Sequence, residues 1–146
     1  MKFETKIAVR WADVDQNRHV RHSAYYDYGA HCRIALFEAL EFGIDTMTAK
    51  NFGPVLFEEK CSFLKELHLN ETVTVKVQKG EIRADGSRWE LHHEIMNSKG
   101  EKAAHLTVKG AWMDLSARKL TRPPEAMAKP LLSLEQGEPF TYKKNA

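Results

Sequence analysis

The sequence predicts an α+β domain in which an antiparallel sheet packs on one long helix. Three observations carry this reading. A single long helical stretch runs from near Ser23 to Gly43, alternating apolar and polar runs flank it, and turn residues separate the later runs where crossover helices would otherwise have to sit. The order is strand, helix, then four consecutive strands, which excludes a doubly wound parallel sheet.

In chain order, Phe3, Thr5, Ile7, Val9 and Trp11 alternate with Lys2, Glu4, Lys6, Ala8 and Arg10, the period of a strand with one buried face. From Ala12 to His22 the alternation stops and Asp and Asn accumulate, so this stretch is a loop. The helix follows, with Ser23 as N-cap, Asp27 in its first turns and Gly43 as its stop. Tyr25, Tyr28, Cys32, Leu36, Ala39 and Leu40 form one apolar face, and Ala30, Ile34 and Phe37 widen it. Only a narrow polar stripe remains, through Asp27, His31, Glu38 and Glu41, so the helix must be largely covered.

Val55–Leu64 and Thr72–Ile82 read as strands. Ala84-Asp85-Gly86-Ser87 is a hairpin turn into Trp89, Leu91, His93 and Ile95, and Asn97-Ser98-Lys99-Gly100 is a second turn. The last long strand spans about Ala103 to Leu115, with Leu106, Val108, Gly110 and Trp112 on one face. Pro123 and Pro124 break the pattern before a short helix over 125–132 and a polar tail. We read residues 1–146 as a single domain with a core over about 3–132 and a tail over 133–146, about five strands in all.

With 42% hydrophobic and 29% charged residues and no biased tract, the chain is globular rather than disordered. The net charge of +2 is spread among both signs, so no nucleic-acid surface is expected. The opening residues lack the apolar run of a signal peptide or membrane span, which predicts a cytoplasmic protein with no membrane partner. Cys32 and Cys61 then read as reduced, buried thiols. His92, His93 and His105 show no metal-binding spacing and read as structural; no metal is expected.

The chemistry concentrates between Asp13 and Tyr25, where two carboxylates, an amide and two imidazoles sit at a strand-to-helix join. A helix N-terminus presents unpaired N–H groups able to hold an oxyanion, and a nearby carboxylate can activate water or attack a carbonyl. The same residues also serve as turn and capping groups, and His19 and His22 as hydrogen-bonded structural residues. Glu58 and Glu59 lie in a strand otherwise rich in Phe57, Cys61 and Phe63, so one of them points inward, unless they form a solvated edge or a salt bridge with Lys60.

The run Asp15-x-Asn17-x-His19-Val20, with Tyr25 six residues beyond His19, resembles the loop and helix start of the hotdog-fold acyl-CoA and acyl-carrier-protein thioesterases, a group that includes the 4-hydroxybenzoyl-CoA thioesterases. Gly53-Pro54-Val55, Phe63-Leu64-Lys65-Glu66-Leu67, Asn70-Glu71-Thr72-Val73, Met113-Asp114-Leu115 and Arg122-Pro123-Pro124 extend the resemblance from about Phe3 to Leu132. It implies a hotdog fold, a long helix wrapped by a curved sheet, pairing into a homodimer or homotetramer with active sites at the subunit interface. The implied activity is hydrolysis of an acyl thioester, with coenzyme A as part of the substrate and no separate cofactor; acyl-carrier protein is the other carrier the family uses.

Carried over by position, Asp15 is the catalytic nucleophile or general base. Asn17 and His19 position or polarise, and Tyr25 marks the helix start whose amides form the oxyanion hole. His22, Tyr26, Glu58, Glu59 and Phe63 are the substrate-binding candidates, and Asp13 is a second-ranked carboxylate. The chain departs from the family where Arg21 and His22 replace a pair of asparagines. Lys79, Arg83, Arg88, Arg118 and Arg122 are available to phosphates. Two other readings stand beside this one: a non-catalytic acyl-CoA-binding module, and a hotdog hydratase or dehydratase, although the His and Phe-Pro segments of the latter are missing.

Overall fold

The computed structural model describes residues 1–142. Strand β1 (Phe3–Ala8) leads through a single 3-10 turn (Trp11–Asp13) and a loop into helix α1 (His22–Ala39), followed by a short α2 (Ile44–Ala49). Strands β2 (Phe52–Phe63), β3 (Thr72–Ile82), β4 (Arg88–Met96) and β5 (Lys102–Asp114) come next, then a three-residue β6 (Lys119–Thr121) and α3 (Glu125–Leu132). The sheet order is β1-β3-β4-β5-β2, every pairing antiparallel, with β6 added to β5 where β4 has ended. The sixth strand is one more than the sequence pattern showed, since three residues are too few to display a period.

The alternation of the sequence sets which side faces the helix. Val73, Val75 and Val77 of β3, Leu91 and Ile95 of β4, and Leu106, Val108 and Trp112 of β5 are buried against Tyr25, Tyr28, Cys32, Leu36 and Phe37 of α1. Asp27, His31 and Glu38 form the exposed stripe. Fully burying a side chain such as Leu36 contributes about 2 kcal/mol, so the wide apolar face is what fixes α1 to the sheet. Gly110 is required on β5, because a Cβ there would lie 2.5 Å from the Trp89 ring and 2.4 Å from the Val55 carbonyl.

Four boundaries differ from the sequence reading, each for a local reason. Strand β1 ends at Ala8; the Arg10 backbone N–H and guanidinium bond Asp13, the chain turns, and Trp11 is 80% exposed rather than in the core. The N-cap of α1 is Arg21, and Ser23 lies inside the helix, its hydroxyl bonded to the Arg21 side chain. Helix α1 stops four residues before Gly43. Glu41 adopts the left-handed conformation (φ 65°), with Phe42 N–H bonded to the Phe37 carbonyl and Glu41 N–H to that of Glu38. Gly43 instead precedes α2, a helix too short to show a period.

The segment after α3 is also not free. Lys79 exchanges backbone bonds with Glu135 and Gly137, and Phe140 rests on the His105 ring at 5.6 Å, so residues 135–140 lie across the sheet face opposite α1. Residues 143–146 of the expected polar tail lie outside the described residues. Among the described residues no helix is long and apolar enough to cross a membrane.

Candidate functional site

The loop between β1 and α1 is a tight hairpin of its own. Val14 bridges Val20, the Asp15 N–H bonds the His19 carbonyl at 3.0 Å, and Arg18 takes φ 69° at the tip. It docks on the segment after β2, because His19 bridges His68 and the Val20 N–H bonds the Leu67 carbonyl at 2.7 Å.

Two carboxylates in this loop have different surroundings. Asp13 is 1% exposed and accepts from Arg10 and, at 2.9 Å, from the Tyr28 hydroxyl of α1. Burial works against its charge, but the bonds from Arg10 and Tyr28 outweigh it and hold the carboxyl below the usual carboxylate range. Asp13 thus ties the loop to α1. Asp15 is only partly covered. Its Oδ1 accepts the Asn17 N–H at 2.9 Å in an Asx turn, and its Oδ2 faces His19 Nδ1 at 3.8 Å. The turn thus occupies one oxygen of Asp15 and leaves the other facing His19.

Asp15, His19, Val20, His22, Tyr25, Phe63, Leu64, Lys65 and Glu66 line an open groove of about 360 Å³. Tyr25 meets Phe63 edge-on at 5.0 Å, a wall shared between α1 and β2. Burial pushes the Tyr25 hydroxyl up to about 12, so it stays protonated. At the start of α1 the Ala24 N–H bonds the Arg21 carbonyl and the Arg21 N–H bonds that of Asp13, while the His22 and Ser23 N–H groups meet no backbone acceptor among the described residues.

The structure thus gathers Asp15, His19, His22, Tyr25 and Phe63 of the predicted residues. Asn17 is exposed at the loop tip and reaches Asp15 through its backbone only. Tyr26 packs against the core cluster instead. Glu58 lies opposite Lys109 on the face away from α1, and Glu59 turns inward to Arg33 at 3.7 Å rather than to Lys60. Lys65 and Glu66 line the groove without having been singled out as site residues, because only the pairing of the loop with 66–68 brings them there.

Of the cations available to phosphates, Arg83 and Arg88 join Lys109 around a second groove of about 410 Å³, with Arg88 5.2 Å above the Phe57 ring. Lys79 is committed to the Leu132 carbonyl at 2.6 Å. Among the described residues no group of three His, Cys, Asp or Glu side chains could hold a metal ion. Cys32 and Cys61 are free thiols, each pushed up to about 12 by burial.

No curated protein matches the chain. A hypothetical protein from Staphylococcus aureus, solved in complex with CoA, superposes with a TM-score of 0.86 at 15% identity, over 97% of this chain and 90% of that one. DHNA-CoA thioesterase from Staphylococcus aureus superposes with 0.80 at 21% identity (90% and 91% covered). A 1,4-dihydroxy-2-naphthoyl-CoA thioesterase from Synechocystis gives 0.81 at 15% identity (92% and 98%). These likenesses establish the hotdog fold. The family model described as thioesterase-like superfamily matches residues 9–131, which takes in the loop, the groove, α1 and every strand but β1, and the chain belongs to that superfamily.

Proposed function

We propose that the protein is an acyl-CoA thioesterase whose hydrolytic centre is the groove around Asp15. The observation that carries this is the geometry of Asp15: one carboxylate oxygen is used to hold the loop, and the other opens into a groove bounded by the first turn of α1 and the Tyr25–Phe63 wall. Family membership supports thioester chemistry, and the CoA-bound and CoA-thioesterase neighbours support coenzyme A as the carrier.

In the reading we favour, Asp15 takes a proton from water as the water oxygen bonds to the thioester carbonyl carbon. The carbonyl oxygen becomes an oxyanion facing the His22 and Ser23 N–H groups. Its collapse breaks the carbon–sulfur bond, releasing the acid and the CoA thiolate. Attack by Asp15 itself on the carbonyl carbon is the alternative course, with a mixed anhydride that water then opens.

The groove lies at one end of β2, an edge strand carrying exposed Leu56, Phe57 and Phe63, with Leu64 following. An edge of that length and character is a template for pairing, so we also propose a dimer built by β2 meeting β2 of a second copy, which would close the groove.

Acyl-CoA esters of different chain type, assayed by release of free thiol, test the reading. Asp15→Asn keeps the shape and the Asx turn but loses the charge, and should lower kcat on the order of a hundredfold. Wild-type turnover in Asp15→Asn would overturn the assignment of Asp15. A native protein that binds acyl-CoA and cleaves none of the panel would replace the enzyme with a binding module.

A further inference from the structure

The side-chain chain that begins at Asp15 does not stop at His19. His19 presents Nδ1 to Asp15 Oδ2 and Nε2 to Glu66 Oε1, each at 3.8 Å, and Glu66 Oε2 lies 3.6 Å from His68 Nε2. His68 in turn meets Glu71 through Nδ1 at 3.3 Å. The backbone bridge between His19 and His68 brings these side chains side by side. We propose that Glu66 is a positioning residue for hydrolysis, acting through His19 on the proton that Asp15 removes from water; this rests on the reading of Asp15 given above.

A neutral imidazole has one N–H and one lone pair, and a carboxylate accepts only. With its N–H on Nε2 directed to Glu66, the ring turns the Nδ1 lone pair to Asp15. Once Asp15 has taken the proton from water it becomes a donor, and Nδ1 is the acceptor facing it. Transfer of that proton to Nδ1 makes an imidazolium whose Nε2–H remains on ionised Glu66, so the Glu66 contact strengthens as the reaction proceeds. An interaction of that kind raises kcat rather than lowering KM. The proton then passes to the departing sulfur, which regenerates ionised Asp15 and neutral His19 and leaves the free thiol. At 3.8 Å these are ion-pair contacts rather than hydrogen bonds, so the transfer requires both to shorten when substrate binds.

The other charged groups that face this row are few. Lys65 is bonded to Glu101 at 2.8 Å, so that among the described residues Glu66 pairs only with His19 and His68, and His22 lines the groove. Glu71 is held by Ser98 and the His68 N–H. Glu66 itself is well exposed, so replacing it removes no core contact.

The test uses Glu66→Gln, His19→Gln and the double variant. In Glu66→Gln we expect kcat to fall about tenfold with KM within about twofold, the range of a general acid–base contribution acting through a second group. The limb of the kcat–pH profile that His19→Gln abolishes should move to lower pH, because loss of a neighbouring anion makes an imidazolium harder to form. In the His19→Gln background the second change should cost little further. Equal losses in both backgrounds, or an unmoved limb, overturn the proposal. Titration of the His19 ring by NMR gives a readout that needs no substrate. A midpoint lowered in Glu66→Gln supports the coupling and an unchanged one sinks it, even if the protein cleaves no thioester.

Discussion

Acidification between pH 7 and pH 5 should destabilise the fold through His93. This imidazole is fully buried under α1. Its Nδ1 lies 3.0 Å from the Lys76 carbonyl and must carry the proton there, so Nε2 is the acceptor for the Arg33 guanidinium at 3.1 Å. Burial first, and the Arg33 charge second, push His93 from 6.5 down to about 3. The folded protein therefore keeps the ring neutral where the unfolded chain binds a proton. Stability is fully present above about 6.5 and falls as pH drops below it, levelling off near 3. At pH 5 one such group costs about 2 kcal/mol, a large part of a typical domain's stability. His105, lowered to about 4 by burial and then by Lys102 and His92, acts in the same direction. Asp13 is ionised in both states above pH 5, and Glu71 and Glu101, each lowered from 4.5, act in the same direction as His93 but only at the bottom of the window. Urea unfolding at pH 7, 6 and 5, compared between the wild type and His93→Gln, measures the effect. The variant should lose most of one proton's worth of slope, about 1.4 kcal/mol per pH unit at most. Identical slopes would show that His93 is not the group responsible.

Two further outcomes follow from the geometry. Asp13→Ala strands the buried Tyr28 hydroxyl without its acceptor and should lower stability by about 2 kcal/mol in a denaturant titration; Arg10→Ala, which leaves the buried Asp13 carboxylate without its counter-charge, should be destabilising too, and wild-type stability in both would refute the tie. If β2 pairs with a second copy, light scattering should find the wild type dimeric or larger, and Phe57→Lys or Leu56→Lys should shift it towards monomer with loss of activity. A wild-type monomer that is fully active would remove both the dimer and the idea that a partner closes the groove.

The strong periods were legible in the sequence. The width of the α1 face, the alternation of Val73, Val75 and Val77 and the hairpin at Gly86, which takes φ 76°, all reflect short-range chemistry that a single segment displays. Elements whose form depends on distant partners were not. Trp11 continues the alternation of β1 and yet is exposed, because an Arg10–Asp13 contact three residues apart ends the strand. Glu41 shows no sign of adopting the left-handed conformation that Gly43 was expected to supply; the Phe37–Phe42 closure of α1 requires it. In the groove, Asp15, His19 and Tyr25 could be nominated from one contiguous stretch. Glu66 could not, since it enters through the His19–His68 bridge, a pairing across nearly fifty residues.

Strand β2 carries one residue more than its partner can match. Leu56 lies opposite Gly110 and Glu58 opposite Lys109, so Phe57 is the unmatched residue, and it reverses the parity of everything after it. Before the bulge the even-numbered positions Pro54 and Leu56 share the face of Trp112 and Gly110; after it the odd-numbered positions Glu59, Cys61 and Phe63 share that of Val108, Leu106 and Ala104. Were the strand regular, Ser62 would stand where Phe63 meets Tyr25, Lys60 would occupy the place of Cys61, and Arg33 would face Glu58. The groove wall is thus set by a count as much as by a side chain. Loss of Phe57 itself would leave Phe63 opposite Ala104 and keep the aromatic wall, whereas drawing residue 57 into the ladder opposite Lys109 would turn that wall to the opposite side of the sheet.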